Sequence, residues 1–183
     1  MSKFCINKHA NTFNALKEPM NLPTKTDYIN YFDDNRVPNP VAVTLTLKQR
    51  VEINDFKGRF GTNLDSVKVS NNTRDFMNRL NQRIFRNSFK RNGKRLSVLP
   101  ITEGNSFIRL HIHMTLERPD RLNLEEFSKL ISKCWSETTF GHHNICIKPI
   151  DDNYLGWIEY KLKNKSKGEG LQSSVDWDNV FFH

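Results

Sequence analysis

The sequence predicts an α+β domain of the ferredoxin-like (RRM-like) kind, an antiparallel sheet of about five strands with helices on one face and the other face open to ligands. Three observations carry this. Two runs, residues 41–47 and 108–116, alternate apolar and polar side chains as a half-buried strand must. Two other stretches, within residues 73–91 and 123–135, repeat apolar residues at helical spacing. Between them Gly104-Asn105 separates two strand-like runs, a hairpin signal. The order is then strand, helix, strand, strand, helix, strand and a last helix, the split β-α-β pattern.

Residues 1–39 form an N-terminal arm, Asn-rich and interrupted by Pro19, Pro23, Pro38 and Pro40, with Tyr28, Tyr31 and Phe32 able to anchor it. The main domain spans residues 40–170. In its first strand Val41, Val43, Leu45 and Leu47 face the core, and Ala42, Thr44 and Thr46 the other way. Residues 48–72 read as a long loop with room for a short strand. Thr73 is the expected cap of the first long helix, whose stripe is Phe76, Met77, Leu80, Ile84 and Phe85. Arg79, Arg83, Arg86 and Lys90 lie off that stripe, a basic face suited to phosphates. Asn123 and Glu126 have capping-box spacing at the next helix, and Ile145 and Ile147 mark a short strand. The last helix is expected over residues 153–163, with Leu155, Ile158 and Leu162 inward and Trp157, Tyr160 and Lys163 sharing another face. Gly156 beside that face would admit a bulky partner. Residues from 164 are rich in Lys, Ser and Gly, and the tail at 171–183 is apolar and acidic enough to dock on the domain.

Lys and Arg number 28 against 20 Asp and Glu, a net charge of +8, which points to a polyanionic partner, nucleic acid first. Cys5, Cys134 and Cys146 are odd in number and lack C-x-x-C spacing, as expected of reduced thiols in a cytoplasmic protein. No apolar run is long enough to span a membrane, and the N-terminal residues lack the apolar block of a signal peptide.

Three constellations carry chemistry. His111 and His113 flank Ile112 on one strand, so both imidazoles project from its polar face with Arg109 and Thr115 and make half of a metal site. Glu103, across the hairpin, adds a carboxylate, a set suited to Mg²⁺ or Mn²⁺ with positions open to phosphate oxygens; Glu117, on the face of His113, is the rival third ligand. Tyr160 and Lys163 stand one helical turn apart, a phenol with a cation to favour its phenolate or to neutralise a phosphate.

Taken in order, Val43-Thr-Leu-Thr46, Leu110-His-Ile-His-Met114 and Tyr160-Lys-Leu-Lys163 resemble the three motifs of the HUH endonucleases, most closely the rolling-circle replication initiators (Rep proteins). The resemblance covers about residues 40–170. It implies a metal and DNA site on the open sheet face, with His111, His113 and Glu103 holding Mg²⁺ or Mn²⁺. Tyr160 would attack a scissile phosphate of single-stranded DNA to leave a 5′-phosphotyrosine and a free 3′-hydroxyl, with Lys163 assisting and Tyr154 as the fallback nucleophile. Thr44, Thr46, Arg79, Arg83, Arg86, Lys90, Arg109, Trp157 and Lys167 are the expected DNA contacts. The implied setting is a single-stranded or hairpin origin of a plasmid, phage or mobile element, in the cytoplasm or, for a eukaryotic virus, the nucleus. No Gly-x-x-x-x-Gly-Lys-Ser/Thr is present, so a separate helicase is the expected partner. A single-tyrosine transposase or a nickase aimed at a competing genome shares this chemistry. A non-catalytic RRM-like module would want aromatic residues on the open face, where this sequence has histidines and threonines.

Overall fold

The computed structural model describes residues 23–55, 58–104, 109–150, 153–162 and 174–183. Its centre is β1 (Pro40–Leu47), flanked on one side by β5 (His111–Glu117) and on the other by β6 (Gly141–Pro149), with β4 (Val98–Glu103) outside β5. All pairings are antiparallel and the spatial order is β4-β5-β1-β6. With α2 (Ser66–Phe85) between β1 and β4, and α4 (Leu124–Ser136) between β5 and β6, this is the ferredoxin-like arrangement. The main sheet has four strands, and β2 (Arg50–Asp55) with β3 (Gly58–Asn63) forms a separate two-stranded ribbon.

Alternation along each strand splits the side chains between two cores. Val41, Val43, Leu45 and Leu47 of β1 and Ile112, Met114 and Leu116 of β5 meet the stripes of α2 and α4 in a fully apolar layer. Phe127, Ile131 and Trp135 fill the α4 side, and the Trp135 indole N–H donates to the Thr46 carbonyl oxygen at 3.1 Å. On the other face Leu99 and Ile101 of β4 pack with Tyr28, Phe32, Tyr154, Ile158 and Leu162 of α1 (Lys25–Asp34) and α5 (Tyr154–Leu162). That face is therefore partly roofed, over β4 and part of β5, rather than wholly open.

Several expectations are corrected. Within the N-terminal arm α1 is a regular helix, opened by a capping box between Thr24 and Asp27, and it seats Tyr28 and Phe32 against α5. The stretch read as a loop at 48–72 holds the β2–β3 ribbon and the first turns of α2. Asp65, not Thr73, caps α2 by accepting from Lys68 N–H, while the Thr73 hydroxyl sits mid-helix and donates to the Val69 carbonyl at 2.9 Å. The helix breaks at Arg86, whose φ of 49° lies in the left-handed region, and α3 (Asn87–Asn92) follows. The tail docks as expected: Val98 and Phe181, and Ile101 and Val175, form isolated bridges along the outer edge of β4.

Candidate metal centre

The register of β4 on β5 places Glu103 directly opposite His111, and Ile101 opposite His113. Gly104, at φ 119°, follows Glu103 at once and turns the chain in a conformation only glycine adopts without strain. Glu103, His111 and His113 therefore meet on the face away from α2 and α4, and their ligand atoms all lie within 4.8 Å of one another. They are the one such group of three among the described residues.

The two imidazoles present the same nitrogen. His111 Nδ1 lies 3.0 Å from the Arg109 carbonyl oxygen, an acceptor only, so Nδ1 carries the proton and donates. His113 Nδ1 lies 3.0 Å from the Thr44 hydroxyl on the neighbouring strand β1. Both Nε2 atoms turn toward one oxygen, Glu103 Oε2, at 3.2 Å from His111 and 2.9 Å from His113. A cation placed between them would be met by both Nε2 atoms and by the carboxylate oxygen at once. Backbone or hydroxyl partners on Nδ1 and converging Nε2 atoms are what a metal requires of its ligands. The group can bind a metal ion.

Electrostatics agree. Burial pushes the His113 imidazole down to about 4, helped by the Lys161 charge beside it, so it is a neutral ligand at physiological pH. Burial also works against the Glu103 carboxylate, but His113, Lys161 and His111 around it outweigh that and hold its carboxyl below the usual value.

Helix α5 closes one side. Asn153 caps it, its Oδ1 accepting from Gly156 N–H at 3.0 Å, and a Cβ on Gly156 would strike the Asn153 side chain. The small residue there leaves room for the Asn153 side chain that caps the helix. The Trp157 indole N–H donates to the Thr115 hydroxyl at 3.2 Å, and its ring centroid lies 6.5 Å from that of His113. Tyr160 is 55% exposed on the same helix. Tyr154, the fallback nucleophile, is buried in the second core, with its hydroxyl 3.4 Å from Val37 N–H and Arg36 over its ring. Its place between α1 and α5 removes it from the site.

The remaining expected residues divide. Thr44 is a partner of His113, and Thr46 a partner of His142 Nδ1 at 3.2 Å and of the Asn144 carbonyl, so both hydroxyls are engaged within the sheet. Arg109 contributes its carbonyl oxygen to His111. Arg79 and Arg83 belong to the helical layer on the far face, paired with Asp75 and Glu137, and Arg86 and Lys90 lie at its end, in the break and in α3. These four do not join the metal centre, because the apolar stripe of α2 fixes which side of the sheet the helix covers. Glu117, the rival ligand, accepts from Ser97 N–H at 2.7 Å and pairs with His183, which leaves Glu103 as the third ligand. Lys163 and Lys167 lie outside the described residues. Among the described residues Lys161 brings a cation to the site, its Nζ 3.4 Å from His113 Nε2. Its signal in the sequence was its position four residues after Trp157, on the helical face that Trp157 presents to β5. Compared with protein-family models, with curated proteins and with solved structures, the chain matches none.

Proposed function

We propose that the protein is a metal-dependent nickase and strand-transferase of single-stranded DNA that works through a 5′-phosphotyrosine, with initiation of rolling-circle-type replication as its setting. The observation that supports this most is the convergence of Glu103 from β4 with His111 and His113 from β5, on the sheet face covered in part by the helix that carries an exposed tyrosine. Two imidazoles and one carboxylate leave coordination positions for phosphate oxygens, and nitrogen donors favour Mn²⁺ over Mg²⁺. When bound, the ion would supply Lewis-acid polarisation of the scissile phosphate.

The chain's own residues do the rest. Thr44 and the Arg109 carbonyl hold the two imidazoles in register. Tyr160 Oη attacks phosphorus in line; the Oη–P bond forms, the P–O3′ bond breaks, and the phenolic proton is balanced by the one taken up at the 3′-hydroxyl. The phosphodiester energy is kept in the tyrosyl ester, so the strand can be rejoined by the reverse step. Lys161 brings a positive charge to the site, its Nζ 5.0 Å from the centroid of the tyrosine ring. The net charge of +8 suits a polyanionic substrate. Replication, transposition and attack on a competing genome use the same chemistry and differ in the DNA chosen.

The test is incubation with labelled single-stranded DNA pools and Mn²⁺. A denaturant-stable protein–DNA adduct is expected, lost with EDTA and with Tyr160→Phe but kept with Tyr154→Phe. Metal-dependent cleavage without an adduct would turn the reading toward simple hydrolysis, and no cleavage across varied substrates would turn it toward a binding module.

A further inference from the structure

Lys161 is 7% exposed, an unusual place for a lysine, since burying an ammonium is costly unless charge and hydrogen bonds compensate. Part of that compensation comes from the metal centre itself. Its Nζ lies 3.4 Å from His113 Nε2, the atom a metal would take, and its charge is one of those that hold the Glu103 carboxyl down. On its other side it meets aromatic faces, with Nζ 4.5 Å from the Trp157 ring centroid and 5.0 Å from that of Tyr160. An ammonium and a divalent ion cannot both hold the Nε2 lone pair. Nor can both sit a few ångströms apart in a half-buried site without strong repulsion.

We propose that Lys161 is an intramolecular competitor for the metal: its ammonium holds His113 Nε2 and faces Glu103 when no ion is bound, and gives them up toward the Trp157 and Tyr160 rings when one binds. This rests on reading Glu103, His111 and His113 as metal ligands. The device keeps the ligand set ordered and its charge balanced before loading, and weakens metal affinity. Trp157 is fixed by its bond to Thr115, so the aromatic shelf that receives the ammonium is already built. Lys161 is thus a positioning residue for the metal centre.

Mn²⁺ binding to the full chain, followed by calorimetry and by the electron paramagnetic resonance of the free ion, is the test. Lys161→Met keeps the length of the side chain and removes the charge. It is expected to bind Mn²⁺ at least ten-fold more tightly than the wild type, and Lys161→Arg to stay within about three-fold of it. An unchanged or weaker affinity in folded Lys161→Met overturns the proposal. A second measurement needs no variant. The rate at which an amine-acetylating reagent modifies Lys161, read by peptide mass spectrometry, should rise several-fold at saturating Mn²⁺, and a rate that does not rise overturns the displacement. Wild-type protein that binds no Mn²⁺ would overturn both this inference and the metal reading, whereas binding insensitive to Lys161→Met would overturn this inference alone.

Discussion

The two faces of the central sheet are built from alternate residues of the same strands yet obey different rules. On the α2/α4 face Ile112, Met114 and Leu116 are shut away from solvent among aliphatic and aromatic side chains. On the other, His111, His113 and Thr115 lie between Thr44, Glu103, Trp157 and Lys161, where each polar group finds its partner on a neighbouring element. The first face stabilises by area removed from water and asks only for volume. The second holds groups whose desolvation is unfavourable, made tolerable by mutual hydrogen bonds and charges. Stability and chemistry are thus separated by one residue step along β5, and substitutions at adjacent positions should affect different measurements.

Ile112→Ala should show the largest effect on folding, about 2–5 kcal/mol by urea denaturation, from lost burial and a cavity under α2 and α4. His111→Ala, its neighbour, should stay within about 1 kcal/mol of the wild type in the same experiment. It should instead lose Mn²⁺ affinity by ~100-fold or more, since it removes a ligand and not merely a ligand's support. Thr44→Val keeps the shape and deletes the partner of His113 Nδ1. The affinity for Mn²⁺ should fall by roughly 10–100-fold while β1 remains paired. If His111→Ala unfolds the protein as Ile112→Ala does, the separation of the faces is wrong.

Thiol chemistry reads the same contrast. Cys134 is buried in α4, and burial pushes its thiol up to about 11, so it should resist alkylation at pH 7.5 in the folded protein. Cys146, exposed on β6, should label promptly, and peptide mapping separates the two. The smallest effect concerns acid. His113 is held near 4 in the fold against an ordinary value of 6.5, so the unfolded chain binds the proton more readily between those values. Its contribution to stability is full above 6.5 and is lost as pH falls toward 4. In EDTA the wild type should therefore lose stability across that window, and His113→Gln should flatten the slope.

What could be read from the sequence follows the same division. Alternation in β1 and β5 fixed both the core face and the histidine face, because a strand's period is a property of its backbone. Glu103 was legible because a hairpin returns the chain to the same edge. Lys161 was not, since its approach to the site depends on how α5 is rotated over the sheet, which becomes plain only once the bond from Trp157 to Thr115 is seen. The early turns of α2 were hidden by Asn71 and Asn72, poor helix formers. The fold holds Asn72 through tertiary bonds from its amide to Thr138 and from Phe140 N–H to its oxygen. The β2–β3 ribbon gives a weak signal, because apolar alternation in β2 is confined to Val51 and Ile53 and β3 is mostly solvent-exposed, with no buried face to mark it. The basic face of α2 was visible as charge, but charge alone did not say which side of the sheet it would occupy.

The most direct measurement is anomalous diffraction from crystals grown with Mn²⁺. One peak is expected about 2.0–2.3 Å from His111 Nε2, His113 Nε2 and a Glu103 oxygen, with Lys161 Nζ turned away. A peak at His142 and His143 or at Glu117 and His183, or none at saturating Mn²⁺, would contradict the account.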